Sequence, residues 1–172
     1  YMFFFLMYGD HRDLHSFPTR RSSDLEPSDI TTIVINATTP TCYGYCDGVI
    51  EVSSSGGTSP FYYSWNNSSV SAINSNLCLG TYSVYVTDGN SCYDTISYTL
   101  IQPDSLTLST TVSVASTCQL CNGEANISVS GGTGVYTYNW FGLGLSPTSA
   151  SNTGLCAGTF QINVTDANNC TY

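Results

Sequence analysis

Eight cysteines are the residues of this chain best suited to chemistry, and they form two sets of four in the same order. The sets are Cys42, Cys46, Cys78 and Cys92, and then Cys118, Cys121, Cys156 and Cys170. An even, repeated set in a small domain is typical of disulfides, because each bridge adds about 2 to 4 kcal/mol to a core of marginal stability. The cysteines therefore predict an oxidising, extracellular compartment.

A zinc site is the alternative use of these cysteines. The spacings Cys42-x3-Cys46 and Cys118-x2-Cys121 resemble pairs of zinc ligands. Disulfides are favoured because the other two cysteines of each set lie 14 residues apart instead of clustering, and because no histidine follows residue 25. We therefore expect disulfides and no metal.

Asp88 and Asp166 are the only acidic residues that correspond between the two halves of the chain. Each lies two residues before an asparagine, Asn90 or Asn168, in a sequence typical of a turn. Calcium binding is the weaker alternative, because one carboxylate beside one amide falls short of the about six to eight oxygen ligands that calcium takes. We expect both aspartates to form turns.

The basic residues are confined to one segment, which limits the chemistry of the rest. Arg12, Arg20, Arg21, His11 and His15 all precede residue 26, and there is no lysine. The remainder has no usual general base or activator of a nucleophile, and its carboxylates do not repeat as a glycosidase pair. Its nine acids repel nucleic acid and anionic lipid. We expect no enzyme, no cofactor, no nucleic-acid partner and no membrane insertion.

Four tyrosines are candidates for binding sugar rings. Tyr43, Tyr45, Tyr62 and Tyr85 occupy positions that we expect to be exposed, and their counterparts in the second half are not aromatic. Together they could form an aromatic platform for a glycan. The alternative is a passive face, because exposed tyrosine is ordinary on a sheet.

One stretch of alternating residues occurs twice and shows how the chain is organised. Residues 80–92 read GTYSVYVTDGNSC, and residues 158–170 read GTFQINVTDANNC. Apolar residues at every second position indicate a half-buried strand, and the Thr-Asp-x-Asn that follows indicates a turn. The surrounding sequence repeats as well, since Glu26 aligns with Gln102 and Cys42 with Cys118 at an offset of 76.

The same periodicity predicts the other strands and the fold. A strand through Ile50 ends at a Gly-Gly-Thr turn, and a third strand carries Trp65. Short strands, glycine turns and a tryptophan on the third strand are typical of a two-sheet sandwich. We predict an all-β fold of two tandem immunoglobulin-like domains, copy one at residues 26–102 and copy two at residues 103–172. We expect copy two to be truncated, because it lacks a counterpart of the last predicted strand of copy one.

The sandwich suggests a disulfide pairing, although four cysteines allow three connectivities and the sequence alone does not choose among them. In copy one, the strand that follows Cys46 and the strand that follows Cys78 start at the same end of the sandwich. We therefore predict pairs Cys46–Cys78 and Cys42–Cys92, and likewise Cys121–Cys156 and Cys118–Cys170.

Residues 1–25 form a leader that does not resemble the rest of the chain. Residues 10–25 read DHRDLHSFPTRRSSDL, which resembles an in-frame translation of a common sequencing adapter. The apolar run before it has no positive segment ahead of it and no small-residue cleavage site after it, so it does not fit a signal peptide. We interpret residues 1–25 as non-native, and expect the true amino terminus to be missing.

The motifs of copy one together resemble a known family. They are Cys-x3-Cys-Asp-Gly at 42–48, Ser-Gly-Gly-Thr-x-Pro-Phe-Tyr-Tyr-Ser-Trp at 55–65, and Leu-Cys-x-Gly-Thr-Tyr-Ser-Val-Tyr-Val-Thr-Asp-Gly-Asn-Ser-Cys at 77–92. This combination resembles the SprB-type repeat of cell-surface gliding adhesins of Bacteroidota, a relative in shape of PKD domains. Copy two departs from it by having Val135 where copy one has Pro60. The resemblance implies a large secreted protein, exported by the type IX route, whose tandem modules form an adhesive stalk.

Two functions from different classes fit these observations. The first is a non-catalytic spacer repeat of a secreted surface adhesin, whose partners are neighbouring repeats and, in addition, surface polysaccharide. The second is a carbohydrate-binding module attached to a secreted enzyme. Both place the chain outside the cell.

Overall fold

A computed structural model describes residues 28–114, 120–141 and 148–172. The leader at residues 1–25 lies outside these ranges, as does Cys118. The described residues form eleven strands and no helix. The strands are β1 (Thr31–Thr38), β2 (Gly48–Ser55), β3 (Tyr62–Trp65), β4 (Ile73–Leu77), β5 (Gly80–Thr87), β6 (Tyr93–Leu100), β7 (Thr107–Val114), β8 (Gly123–Ser130), β9 (Thr137–Phe141), β10 (Ser151–Leu155) and β11 (Gln161–Thr165).

The strands form four antiparallel sheets, two in each copy of the repeat. In copy one the strand orders are β1-β2-β4 and β3-β5-β6. In copy two they are β7-β8-β10 and β9-β11. The N–H of Thr32 on β1 donates to a carboxylate oxygen of Asp94 on β6 at 2.7 Å, which ties the two sheets of copy one along one edge. The predicted all-β fold is confirmed.

Alternation along the strands places one face of each sheet in a core. On β5, Val84 and Val86 are fully buried while Tyr85 between them is exposed. Strands β2 and β8 have the same burial pattern at every position, so the two copies bury equivalent residues. The predicted strand periodicity therefore holds at the level of single side chains.

Each copy has its own apolar core, centred on a tryptophan. Trp65 is buried in copy one, and its indole Nε1–H donates to the carbonyl oxygen of Ser71 at 2.8 Å. Trp140 is buried in copy two and donates in the same way to Ser149 at 2.7 Å. Buried Trp places its N–H on a partner because an unpaired donor in a core is costly.

The direction of the strands gives each copy two distinct ends. Gly48 at the start of β2 pairs with Leu77, so the β2 start, Cys46 and Cys78 lie together at what we call the Cys46 end. β5 runs from there to the turn at Asp88, and we call that side the Asp88 end. Since β5 has eight residues, the two ends are separated by roughly 26 Å.

Candidate functional site

The feature that joins the two copies is a disulfide between Cys42 and Cys170. Their Cα atoms lie 5.7 Å apart, although the residues are separated by 128 positions in the sequence. Cys42 lies at the Cys46 end of copy one. Cys170 follows the turn at Asp166, the counterpart of the Asp88 end, in copy two. The bridge therefore fastens one end of copy one to the opposite end of copy two.

This bridge corrects part of the predicted disulfide pattern. The Cys46–Cys78 and Cys121–Cys156 pairs are present, as the sequence analysis has them. The predicted Cys42–Cys92 pair is wrong, because Cys42 is joined to Cys170 and Cys92 is a free, exposed thiol. The predicted Cys118–Cys170 pair is wrong for the same reason.

The physical cause of the correction is the length of β5. Cys42 lies at the Cys46 end of copy one and Cys92 lies just beyond the Asp88 turn, at the other end. A disulfide requires Cα atoms within about 7 Å, whereas the two ends are separated by roughly 26 Å. Cys42 therefore cannot reach Cys92 within copy one.

Hydrogen bonds reinforce the junction on both sides of the bridge. The side-chain amide of Asn168 donates to the carbonyl oxygen of Thr41, the residue before Cys42, at 3.0 Å. The N–H of Gly44 donates to the side-chain oxygen of Gln102, in the connection between the copies, at 3.0 Å. The Cys42 loop thus contacts both the connection and copy two.

Asp47 fixes the shape of the loop that carries Cys42. Its carboxylate accepts from the N–H of Thr41 at 2.9 Å and from the Thr41 hydroxyl at 2.5 Å. The Thr41 hydroxyl, followed by the Thr41 N–H, lowers the pKa of Asp47, so the carboxylate stays ionised in this arrangement. The repeat pattern predicts no role for Asp47, because copy two has Asn122 in its place.

A small groove of about 120 Å³ lies at the junction. Tyr43 and Tyr45 line it from copy one, while Leu106, Cys170 and Tyr172 are among the residues that line it from copy two. Leu106 is buried, whereas both tyrosines and Tyr172 are largely exposed. The two tyrosines therefore belong to the contact between the copies.

The turn beside the bridge is built around Asp166, and copy one has the same turn at Asp88. The Asp88 carboxylate accepts backbone N–H groups from Thr58 at 2.8 Å, Asn90 at 2.9 Å and Cys92 at 2.8 Å. The N–H of Thr58 has the largest effect on the pKa of Asp88; burial opposes it, and the other two donors add to it. The net pKa lies below its ordinary value.

Asp166 repeats this arrangement in copy two. It accepts the N–H groups of Thr133 at 2.8 Å, Asn168 at 2.9 Å and Cys170 at 2.9 Å. Burial is the largest single influence on the pKa of Asp166 and raises it, but the N–H groups of Cys170, Thr133 and Asn168 together lower it by more. Both oxygens of each aspartate accept backbone hydrogen bonds, which is the geometry of a turn.

The four candidate sugar-binding tyrosines do not form one platform. Tyr43 and Tyr45 lie at the Cys46 end, whereas Tyr62 and Tyr85 lie on the outer face of the β3-β5-β6 sheet, toward the Asp88 end. Tyr85 stacks instead on Tyr93, with ring centroids 5.1 Å apart. Tyr93 is not among the four candidates, although the cross-strand register of a hairpin after the Asp88 turn brings it close to Tyr85.

The described residues offer neither a metal site nor a membrane-spanning helix. Within residues 28–114, 120–141 and 148–172, no three His, Cys, Asp or Glu side chains are grouped so that they could hold a metal ion. The same part of the chain contains no helix long and apolar enough to cross a membrane.

Comparisons with known proteins agree with the repeated architecture. The sequence model of the SprB repeat matches residues 34–70 and again residues 110–144. The starts of the two matches are separated by the same 76 residues that separate Cys42 from Cys118. Searches of curated proteins and of solved structures find no match. The SprB repeat is a structural repeat of cell-surface proteins. Two segments of the chain, one in each copy, therefore match the SprB repeat.

Proposed function

We propose that this chain is a non-catalytic spacer segment of a secreted bacterial adhesin, in which repeats at residues 26–102 and 103–172 are separate domains held end to end. The observation that carries the proposal is the Cys42–Cys170 bridge. It ties the Cys46 end of one repeat to the opposite end of the next. A spacer needs this arrangement, because reach along one direction is lost if neighbouring repeats fold back on each other.

The internal construction of each repeat supports the same role. Each has its own buried core and its own disulfide, Cys46–Cys78 or Cys121–Cys156. Repeats that are stable individually and contact only their neighbours are typical of extended tandem arrays. Three bridges within the described residues also suit an oxidising compartment outside the cell.

The finer features of the proposal follow from the family. Gliding motility or surface attachment, export by the type IX route and a source among the Bacteroidota are properties of SprB-type adhesins. The acidic surface of the repeats repels nucleic acid and anionic lipid, which leaves neighbouring repeats and neutral surface polysaccharide as partners.

Recovery of the complete gene from its source by long-read sequencing tests the proposal. We expect a long array of further repeats behind an export signal, with codons for residues 1–25 absent, and labelling of intact cells by an antibody against the chain. One or two repeats beside a hydrolase domain would contradict the spacer role. Labelling only after permeabilisation would contradict the surface location.

Carbohydrate binding is a second candidate function, favoured by the Tyr85–Tyr93 stack on the exposed sheet of copy one. Both rings are largely exposed, and Tyr62 lies on the same face. A glycan array with the whole chain tests it, with Tyr85→Ser as the variant. Tyr43→Ser, at the other end of copy one, is the matched control. Equal glycan binding by both variants, or none by the parent chain, would exclude the stack as a sugar site.

A further inference from the structure

The free thiol of Cys92 lies at the position in copy one that Cys170 occupies in copy two. Cys170 is bonded to the preceding copy, whereas Cys92 is exposed and free. The two cysteines follow turns of the same sequence pattern, one built on Asp88 and the other on Asp166. The Asp88 end of copy one therefore carries the same turn and the same cysteine as the end of copy two that is bonded to Cys42.

The backbone presents the two cysteines in the same way. The N–H of Cys92 donates to Asp88 at 2.8 Å, and that of Cys170 donates to Asp166 at 2.9 Å. The residue before each cysteine has a left-handed conformation, with φ of 67° at Ser91 and 64° at Asn169. The Asp88 turn and the Asp166 turn therefore hold the backbone of their cysteines in the same way.

Copy one also has a counterpart of the side-chain amide that reinforces the bridge, at Asn90. Asn168 donates to Thr133 Oγ1 at 3.3 Å while it donates to the carbonyl oxygen of Thr41 in copy one. Asn90 donates to Thr58 Oγ1 at 3.0 Å in the same manner. Its second amide hydrogen is available for the carbonyl of a further repeat.

Some of the residues with which copy two lines the junction groove have counterparts in copy one as well. Ile30 occupies the position of Leu106, and both side chains are buried. Gly57 occupies the position of Gly132, and both have a left-handed φ, 55° and 65° respectively. The surface around Cys92 therefore shares a buried apolar residue and a left-handed glycine with the surface that receives Cys42.

We propose that Cys92 forms a disulfide with the first cysteine of a preceding SprB repeat, so that neighbouring repeats of the array are covalently linked end to end. The partner is a Cys-x3-Cys loop like that of Cys42, with a free carbonyl on the residue before its first cysteine. Asn90 donates to that carbonyl as Asn168 donates to Thr41. The inference rests on the two copies of the repeat and not on the adhesin role.

Formation of the bond is a two-electron oxidation. The Cys92 thiol and the partner thiol each lose a proton, and a sulfur–sulfur bond forms between them. The two electrons and two protons pass to a disulfide oxidant of the extracytoplasmic space, whose own sulfur–sulfur bond breaks to give two thiols. The exchange proceeds through a mixed disulfide with one of the two cysteines.

A three-repeat chain tests the proposal. An additional copy of residues 28–103, carrying Cys92→Ser, is inserted between Pro27 and Ser28, which reproduces the Gln102-Pro103 connection ahead of the original copy. Iodoacetamide labelling of native protein should modify the original Cys92 in the parent chain and at least tenfold less in the extended chain. Peptic peptide mapping should then recover Cys92 linked to Cys42 of the inserted copy.

One variant checks that Cys42 of the inserted copy is the partner, and one disulfide peptide checks that the repeats are folded. Cys42→Ser in the inserted copy should restore full labelling of Cys92. The Cys46–Cys78 peptide reports that the repeats are folded. Labelling of Cys92 that stays at the parent level in a chain with that peptide intact would overturn the proposal, as would a bond between Cys92 and Cys42 of its own copy.

A second measurement uses the two-repeat chain itself. In a Cys118→Ser background, Cys170→Ser releases Cys42, so that Cys42 of one molecule can meet Cys92 of another. In oxidised glutathione we expect a ladder of disulfide-linked oligomers on a non-reducing gel, and its loss when Cys92→Ser is added. A ladder that persists when Cys92→Ser is added would overturn the proposal.

Discussion

Cys42 and Cys170 are joined across the boundary between the two copies, with their Cα atoms 5.7 Å apart. Because β5 has eight residues, the two ends of one sandwich lie too far apart to be joined to each other by a disulfide. The bond therefore shows which ends of the two copies meet. The relative arrangement of the repeats is therefore held by a covalent bond, with Asn168 and Gly44 adding hydrogen bonds beside it.

Removal of this bridge should loosen the junction and leave the cores intact. For the double variant Cys42→Ser/Cys170→Ser we expect a larger radius of gyration and a broader distance distribution in small-angle X-ray scattering. The short connection and two hydrogen bonds remain, but they do not hold a single orientation as a disulfide does. Cys92→Ser is the matched control and should scatter like the parent chain. Identical scattering by parent and double variant would mean that the bridge does not set the arrangement.

Replacement of Asp88 by asparagine should lower stability at neutral pH. The carboxylate accepts three backbone N–H groups. An asparagine has one acceptor oxygen and directs its NH2 group at one of these donors, which leaves a donor without a partner. We expect Asp88→Asn to lower the melting temperature, and Asp29→Asn, an exposed control, to change the stability by no more than about 0.5 kcal/mol.

The effect of Asp88→Asn should depend on pH with a defined sign. The folded-state pKa of Asp88 lies below its ordinary value of 3.8. Its contribution to stability is therefore fully present above pH 3.8 and is lost as the pH falls through the lower, folded-state pKa. Melting temperatures between pH 2 and pH 7 should show the gap between parent and Asp88→Asn narrowing below about pH 4. A gap that is constant over this range would show that the charge of Asp88 is not involved.

The fold could be predicted from the sequence because its signals are local. Alternation at Val84 and Val86 marks the buried face of β5, and the duplication of the whole pattern gives the two copies. The Cys46–Cys78 pair also follows, since both cysteines precede strands that start at the same end. The same reasoning about strand direction places Cys92 at the far end of β5, which is incompatible with Cys42 in the same copy.

The partner of Cys42 could not be predicted because the two copies have the same local sequence. Strand direction excludes Cys92 of the same copy, but repeat spacing does not show that Cys42 meets Cys170, the equivalent cysteine of the next copy. That choice depends on how one copy stacks on the next, which is a long-range property. The separation of Tyr43 and Tyr45 from Tyr62 and Tyr85 could not be predicted for a related reason, because alternation gives the face of a side chain and not the end of the sheet where it lies.

The two cores should respond separately to mutation. Trp65→Phe removes the indole N–H that donates to the carbonyl oxygen of Ser71, together with part of a buried ring. The loss should lower the free energy of unfolding of copy one by about 1 to 3 kcal/mol. Trp140 is then the only tryptophan and reports copy two by fluorescence, while the reciprocal Trp140→Phe leaves Trp65 to report copy one. In urea we expect the Trp140 midpoint of Trp65→Phe to match that of the parent. If the Trp140 midpoint fell as far as the midpoint of copy one, the two repeats would unfold as one unit.

Gly57 should be less tolerant of a methyl group than Gly44, although both have a left-handed φ, 55° and 76° respectively. A Cβ at position 57 would lie 2.7 Å from a carboxylate oxygen of Asp88, whereas at position 44 it would meet no atom within 4 Å. Gly44→Ala therefore measures the conformational cost alone, about 1 to 2 kcal/mol. Gly57→Ala adds the displacement of the carboxylate from the N–H of Thr58, so urea denaturation should give it the larger loss of stability. Equal losses of stability for the two variants would mean that the Asp88 carboxylate can move away at no cost in free energy. The hydrogen bonds of the turn would then not stabilise the Asp88 end.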